Sequence, residues 1–474
     1  MAPGSGHASG GCHTVSTIAF APSKIERFVA MGALVAAGAL VVLCPTQTIL
    51  LGALTWGITL IGFLPRHAAV AVPLFALLAI PADHMAGLSG PAHGFFVFGA
   101  TSALIAAAGL RLGLRAPSRA DWDFHVLILV LCGATLLHAA AGELRGVLFW
   151  IGAGLFLWWL RTEERENGDV HSQAADAILA AGAFGGMLAI LAHVHVLDIT
   201  RLLPGYEPNE LEFTYQAGTR APGLSGHPLR FGSLTMLAAI FAMPWAFEEG
   251  LSNQRRVGYI GALGLSLGGL VLSGARGSWL GMAVAVLVFA LIRASTGSSR
   301  TVLRIALYGA VAGLLLWATG LWRLIESRLV GAASHPGSIN QRRLVTEGIR
   351  YVWSQVPPFG VGFGGAAEMA MRMGLKLLNL ENEYLRFFFT AGFAGPVCLL
   401  LLGFRRIGAA LRTHPSSPIR VAAVCALSAV LVNVGTYNMF SWSMGPPLLA
   451  MLAFLVLPLP QTDRVPAEQA GAVQ

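Results

Sequence analysis

Apolar runs of about twenty residues recur along almost the whole chain with only short connections between them, and this decides the solvent in which the protein folds. The runs are continuous rather than alternating, so they are not strands of a membrane barrel. Inside a bilayer the remaining way to satisfy every backbone N–H and C=O is the helix. Only 11% of residues are charged and the mean hydropathy is +0.68, whereas a soluble domain carries about 25% charged residues. The expected fold is therefore all-α: a polytopic helical membrane protein. Its spans are expected near 28–44, 48–64, 67–83, 94–112, 124–140, 145–160, 176–196, 229–247, 257–272, 277–293, 302–320, 384–404, 418–435 and 439–458. That is about fourteen, or twelve to thirteen if short pairs are re-entrant. The run at Phe28–Cys44 lacks a small-residue cleavage site after it and reads as a retained span. One integral domain, 27–460, is expected between disordered ends at 1–26 and 461–474.

Charge placement supplies orientation. With the N-terminus in the cytoplasm, alternate connections on the inner side hold Arg66, Arg111, Arg115, Arg119, Arg161, Arg165, Arg255, Arg256, Arg293, Arg300, Arg405, Arg406 and Arg412. Short outer connections hold little but Arg145 and Arg276. The net charge of +8 thus reports topology and anionic headgroups, not a nucleic-acid partner. Five cysteines without a CxxC pair argue against a disulfide framework or zinc site. No repeat of 20–50 residues and no matched pair of broken helices is visible, which disfavours a secondary transporter. Trp158-Trp159 reads as an interfacial belt, and Phe387-Phe388-Phe389 as packing.

Two outer connections are long: Asp198–Gly226 and Gly320–Asn382. The second spans about sixty residues, and connections of this length in compact proteins are usually functional. It holds seven Lys and Arg residues, among them Arg342, Arg343 and Arg350, against the positive-inside bias. It also holds the turn Pro357-Pro358-Phe359-Gly360-Val361-Gly362 and closes in Glu381-Asn382-Glu383-Tyr384-Leu385. Arg276 sits in a link of a few residues, Ser273-Gly274-Ala275-Arg276-Gly277, and a charge so close to hydrocarbon is a functional candidate. Arg220 opens the Gly/Pro turn Arg220-Ala221-Pro222-Gly223-Leu224-Ser225-Gly226-His227-Pro228. A guanidinium presents a fork of donors suited to phosphate oxygens. Glu381 and Glu383 are candidate general bases, of which a helix would aim at most one at a given site. His193 and His195 form an H-x-H pair with no third metal ligand in view, and His335 has no nameable partner.

Taken in order, these segments resemble the O-antigen ligase and polymerase superfamily of bacterial inner-membrane proteins. The matches are the arginine and Gly/Pro turn from Arg220 to Pro228, the Ser-x-Ser-Arg-Gly-like link at Ser273–Gly277, and the loop with Arg343, Trp353 and Pro357–Gly362. The motif Glu381–Leu385 and Gly392-Phe393-Ala394-Gly395 complete the pattern, which covers about residues 215–400. The resemblance implies a membrane glycosyltransferase with an undecaprenyl-diphosphate-linked oligosaccharide as donor and a glycan or glycolipid as acceptor, working at the periplasmic face. Arg220 and Arg276 would contact the diphosphate, and Arg343, Arg350, Asn382 and Tyr384 are the further expected substrate contacts. Glu381 stands where the ligases carry a histidine base, which favours the polymerase branch over a ligase acting on lipid A-core. A flippase and a chain-length regulator are the expected partners. No cofactor or metal is expected, because diphosphate is already a good leaving group when cations neutralise its charge. The competing class is a lipid-linked glycan flippase.

Overall fold

The computed structural model describes residues 68–79, 92–113, 117–138, 144–197, 221–318, 353–372, 382–413 and 417–457, apart from isolated positions within them. The described residues form helices and no strands, so the protein is an all-α polytopic membrane protein. In chain order the helices are α1 (Ala71–Ala79), α2 (Ala92–Leu112), α3 (Trp122–Leu137), α4 (Leu144–Glu166), α5 (Val170–His193), α6 (Pro228–Ala246) and α7 (Asn253–Ser273). They continue with α8 (Arg276–Ser295), α9 (Ser299–Ala318), α10 (Gly362–Arg372), α11 (Glu383–Ala391), α12 (Ala394–Arg412), α13 (Pro418–Asn433) and α14 (Gly445–Val456). Among the described residues six helices are long and apolar enough to cross a membrane: Arg119–Leu137, Val170–His193, Pro228–Ala246, Asn253–Ser273, Arg276–Ser295 and Ala394–Arg412. The runs expected at 28–44 and 48–64, and both termini, lie outside the described residues.

Helix ends follow local chemistry. The Ser252 hydroxyl accepts from the Arg255 amide at the start of α7, and Pro228, Pro418 and Pro446 occupy first-turn positions where no intrahelical N–H is needed. Gly274 ends α7 in the left-handed region at φ 60°. α6 is buried along almost its whole length, packed by α5, α7, α8 and α13. Apolar side chains gain little by leaving lipid for protein, so close backbone approach must hold such helices together. Gly186 of α5 and Gly269 of α7 meet in this way: a Cβ on Gly269 would lie 2.8 Å from the Gly186 Cα.

One expectation is overturned. The single span at 384–404 is two helices, α11 and α12, broken at Gly392 (φ 62°, ψ −153°). The cause is the Pro-Phe-Gly turn, which packs into the break. The Val361 amide donates to the Phe389 carbonyl at 2.8 Å, and the Gly360 amide to the Pro357 carbonyl at 2.8 Å. Gly360 (φ 74°) and Gly392 face each other's neighbours, so that a Cβ on Gly392 would strike the Pro358 carbonyl and one on Gly360 the Thr390 carbonyl. Two motifs about thirty residues apart in the sequence are one structural joint.

At the opposite end of the bundle, arginines that sequence alone marks only as topology signals are buried. Arg161 (1% exposed) donates to both Asp121 carboxylate oxygens at 2.8 and 3.0 Å, to Glu164 at 2.7 Å and to the Leu457 carbonyl at 2.7 Å. Arg406 (0% exposed) donates to Asp123 at 2.5 and 3.0 Å, to Asp121 at 3.1 Å and to the Ala453 carbonyl. Arg405 pairs with Asp123 at 2.6 Å while its guanidinium lies over the Trp122 ring. Such charges are tolerable in the interior only because each is paired and hydrogen-bonded. The network ties α3, α4, α12 and α14 together. The adjacent Trp159 is 1% exposed and donates to Glu163 at 3.3 Å, so it is a core residue and not part of a lipid-facing belt.

The ion pairs Arg161–Asp121, Arg406–Asp123 and Arg293–Glu248, and the Gln173 side chain accepting from the Val70 amide, each join helix ends that are far apart in sequence.

Candidate functional site

At the other end of the bundle, segments far apart in sequence meet on the turn that follows α13. Among the sequence-nominated residues, Arg276, Asn382 and Tyr384 are described; Arg220, Arg343, Arg350 and Glu381 lie outside the described residues.

Arg276 is the first residue of α8 and is half-buried, with no hydrogen bond or ion pair to another described residue. Its helix can start here because Gly277 seats against α13: a Cβ on Gly277 would overlap the Thr436 hydroxyl and come within 2.8 Å of the Asn433 side-chain oxygen. Gly232 of α6 packs from a third direction, against Ser273, Ala275 and Ser278. The Asn433 amide donates to the Ser233 hydroxyl at 2.9 Å, satisfying two buried polar groups and fixing α13 on α6.

Ala221, which follows Arg220 in the chain, donates its backbone amide to the Leu272 carbonyl at 2.8 Å. The Gly/Pro turn is thereby fastened to the last turn of α7, four residues ahead of Arg276. Two motifs recognised separately thus occupy one place.

The α11 motif approaches the same turn. Asn382 caps α11, its side-chain oxygen accepting from the Leu385 amide at 3.1 Å. The Tyr384 hydroxyl donates to the Leu431 carbonyl at 2.5 Å, and its ring flanks Gly435. The Glu383 amide donates to the Val434 carbonyl at 2.9 Å. The Glu383 side chain is 0% exposed; its Oε1 accepts from the Phe440 amide at 2.7 Å and lies 3.4 Å from Arg386 Nη1. Of the two carboxylates weighed as bases, Glu383 is therefore committed to holding α11 on the 3₁₀ turn Met439–Ser441. Below it Phe387, Phe440 and Trp150 pack ring to ring at 5.5–5.6 Å, and Phe387, Phe388 and Phe389 are all buried. The aromatic run is packing.

Residues that sequence reasoning passed over also contribute. Asn433, Thr436 and Tyr437 are polar positions near the end of an apolar run, and that interruption was the signal available. His227, the N-cap of α6, lies exposed with its ring parallel to Tyr437 (centroids 6.2 Å apart, 10°). His193 and His195 are both exposed at the end of α5. Among the described residues no group of three or more His, Cys, Asp or Glu is arranged to hold a metal ion.

This end of the bundle therefore offers a half-buried guanidinium, a ring of small and hydroxyl-bearing residues, and a helix start pinned beside it. Such an arrangement can hold an anionic headgroup at the level where lipid meets water. Neither a scan against protein-family models nor a search of curated proteins finds a match to this chain.

Proposed function

We propose that the chain is a bacterial inner-membrane glycosyltransferase of the O-antigen ligase and polymerase kind. It transfers an undecaprenyl-diphosphate-linked oligosaccharide to an acceptor glycan at the periplasmic face, as a polymerase. The observation that carries this reading is the convergence of the arginine-bearing link and the α11 motif on residues 431–437, with the Gly/Pro turn fastened to the same link through Ala221 and Leu272. Three segments that resemble one family's pattern in sequence have described residues that lie close together, which supports this reading.

In the proposed reaction an acceptor hydroxyl attacks the anomeric carbon of the donor. The new bond is acceptor oxygen to carbon, and the bond broken joins that carbon to the phosphate oxygen. Undecaprenyl diphosphate leaves with the electron pair, and Glu381 takes the hydroxyl proton. Arg276 and Arg220 neutralise the charge that grows on the leaving group, which substitutes for a metal ion. Inversion at the anomeric carbon follows from a single displacement.

The test is reconstitution of the full chain in proteoliposomes with undecaprenyl-diphosphate oligosaccharide. The proposal expects longer glycans on the lipid, and loss of this extension in Arg276→Ala with unchanged thermal unfolding. Translocation of the lipid without any new glycosidic bond would make the protein a flippase and end the proposal. Product formed only when lipid A-core is supplied would reassign it as a ligase.

A further inference from the structure

The link that bears Arg276 is stiff within itself. The Leu270 carbonyl accepts from the Ser273 hydroxyl at 2.7 Å and from the Trp279 ring nitrogen at 2.9 Å, and the Ala275 amide donates to the Ser273 hydroxyl at 3.2 Å. These bonds give the link its shape but not its place in the bundle, which is set by two surfaces. On one side stands Gly232 of α6, where a Cβ would lie 2.6 Å from the Ala275 Cβ and 2.7 Å from the Ser273 hydroxyl. On the other, Gly277 seats against Thr436 and Asn433 at the end of α13. One buried bond joins the two surfaces: Ser233, next to Gly232, accepts from the Asn433 side-chain amide at 2.9 Å. The roles in that bond are fixed. The Ser233 hydroxyl donates its only proton to the Leu229 carbonyl at 2.9 Å, so it can only accept from Asn433. The Asn433 Oδ1 is thereby turned toward Gly277 in the first turn of α8, where the N-cap Ala275 supplies no side-chain acceptor. A partial negative charge is favoured at that end of a helix.

We propose that Asn433 is a positioning residue for the transfer: through its bond to Ser233 it sets the spacing of α6 and α13 at which the link is held, and so places the Arg276 guanidinium against the lipid-linked diphosphate. This rests on the proposed function. Asn433 is 1% exposed and acts through Arg276, not on substrate. Apolar contacts discriminate poorly among helix packings in lipid, so a polar bond between helices is what fixes such a spacing. The carbonyls on either side of Asn433 in the chain serve the other half of the site. Leu431 accepts from the Tyr384 hydroxyl and Val434 from the Glu383 amide, so the same turn references Arg276 to the start of α11.

A double-mutant cycle separates positioning from mere support of the fold, with binding of sugar-free undecaprenyl diphosphate to the full chain in nanodiscs as its readout. With Arg276 present, Asn433→Ala is expected to weaken binding by about tenfold, the scale of a lost bond to a charged group. In the Arg276→Ala background the same substitution should change binding by less than about twofold, because the group it places is gone. Ser233→Ala removes the same bond from the α6 side while Asn433 stays. It should match Asn433→Ala, add nothing to it in the double variant, and carry the cycle if Asn433→Ala does not fold. Weakening by one factor in both backgrounds, or wild-type binding by Ser233→Ala, would make Asn433 a support of the fold and overturn the proposal. If wild type extends glycan and either of those results is found, the positioning role falls and the reaction stands. If wild type forms no glycosidic bond and the effect of Asn433→Ala still vanishes with Arg276, the reaction falls and the positioning role stands. Binding by Arg276→Ala as tight as that of wild type would bring down the diphosphate contact and the positioning role together.

Discussion

At the scale of residues, a candidate base can turn out to hold the fold. Glu383 accepts the Phe440 amide, whereas Glu381, two residues earlier, lies outside the described residues and keeps the role proposed for it. Replacing Glu383 by Gln keeps an acceptor for that amide but removes its charge. It should cost about 1–3 kcal/mol in stability, the range for weakening a buried charge-assisted bond, and leave the folded fraction active. Glu381→Gln should do the reverse. Thermal unfolding alongside glycan extension measures both, and full stability with abolished transfer in Glu383→Gln would show that its carboxylate works on substrate. Gly277 offers a second case. Gly to Ala within a helix ordinarily gains about 1 kcal/mol, but here Thr436 occupies the space, so Gly277→Ala should lower both unfolding temperature and activity.

At the scale of elements, the joint between the Pro-Phe-Gly turn and the α11–α12 break carries the next prediction. Gly360→Ala and Gly392→Ala each place a Cβ against a carbonyl and force a left-handed backbone, costing about 1–3 kcal/mol or more. Gly261→Ala in α7 meets open space and should gain roughly 0.5–1 kcal/mol. Equal responses at the three positions, measured by unfolding in detergent, would refute the joint. The apolar run at 384–404 read as one span because hydropathy averages over a window and cannot see a φ of +62° at one glycine. The Gly-x-x-Gly pattern was visible, but its partner turn lies across a long loop.

At the scale of the molecule, the buried network of Asp121, Asp123, Arg161, Glu164 and Arg406, with the exposed Arg405 at its edge, clamps the end of the bundle opposite the candidate site. It couples α12, and through the joint α11, to the N-terminal half. Removing one partner leaves a buried charge uncompensated, so Arg406→Met should destabilise by about 3–5 kcal/mol. Adding Asp123→Leu should recover part of that loss, because both charges are then gone. A double variant no more stable than Arg406→Met alone would show that the pair is not the source of the cost. Activity in the folded fraction should persist, since the network is remote from Arg276.

Sequence alone determined that the chain is helical and membrane-embedded, and where most of the described helices fall. Continuous apolar runs and arginine placement are local properties, and lipid leaves the backbone no other means of satisfying its hydrogen bonds. Arg276 and the Asn382–Tyr384 segment were legible as well, because a charge or a capping residue at a helix end interrupts an apolar pattern. Tertiary structure alone decided that Arg406 is an interior ion-pair partner, that Glu383 is spent on Phe440, and that His227 meets Tyr437. Those outcomes depend on contacts such as Arg406 with Asp123, 283 residues apart. Such burial is set by which helices pack together, a property that no window along the chain contains.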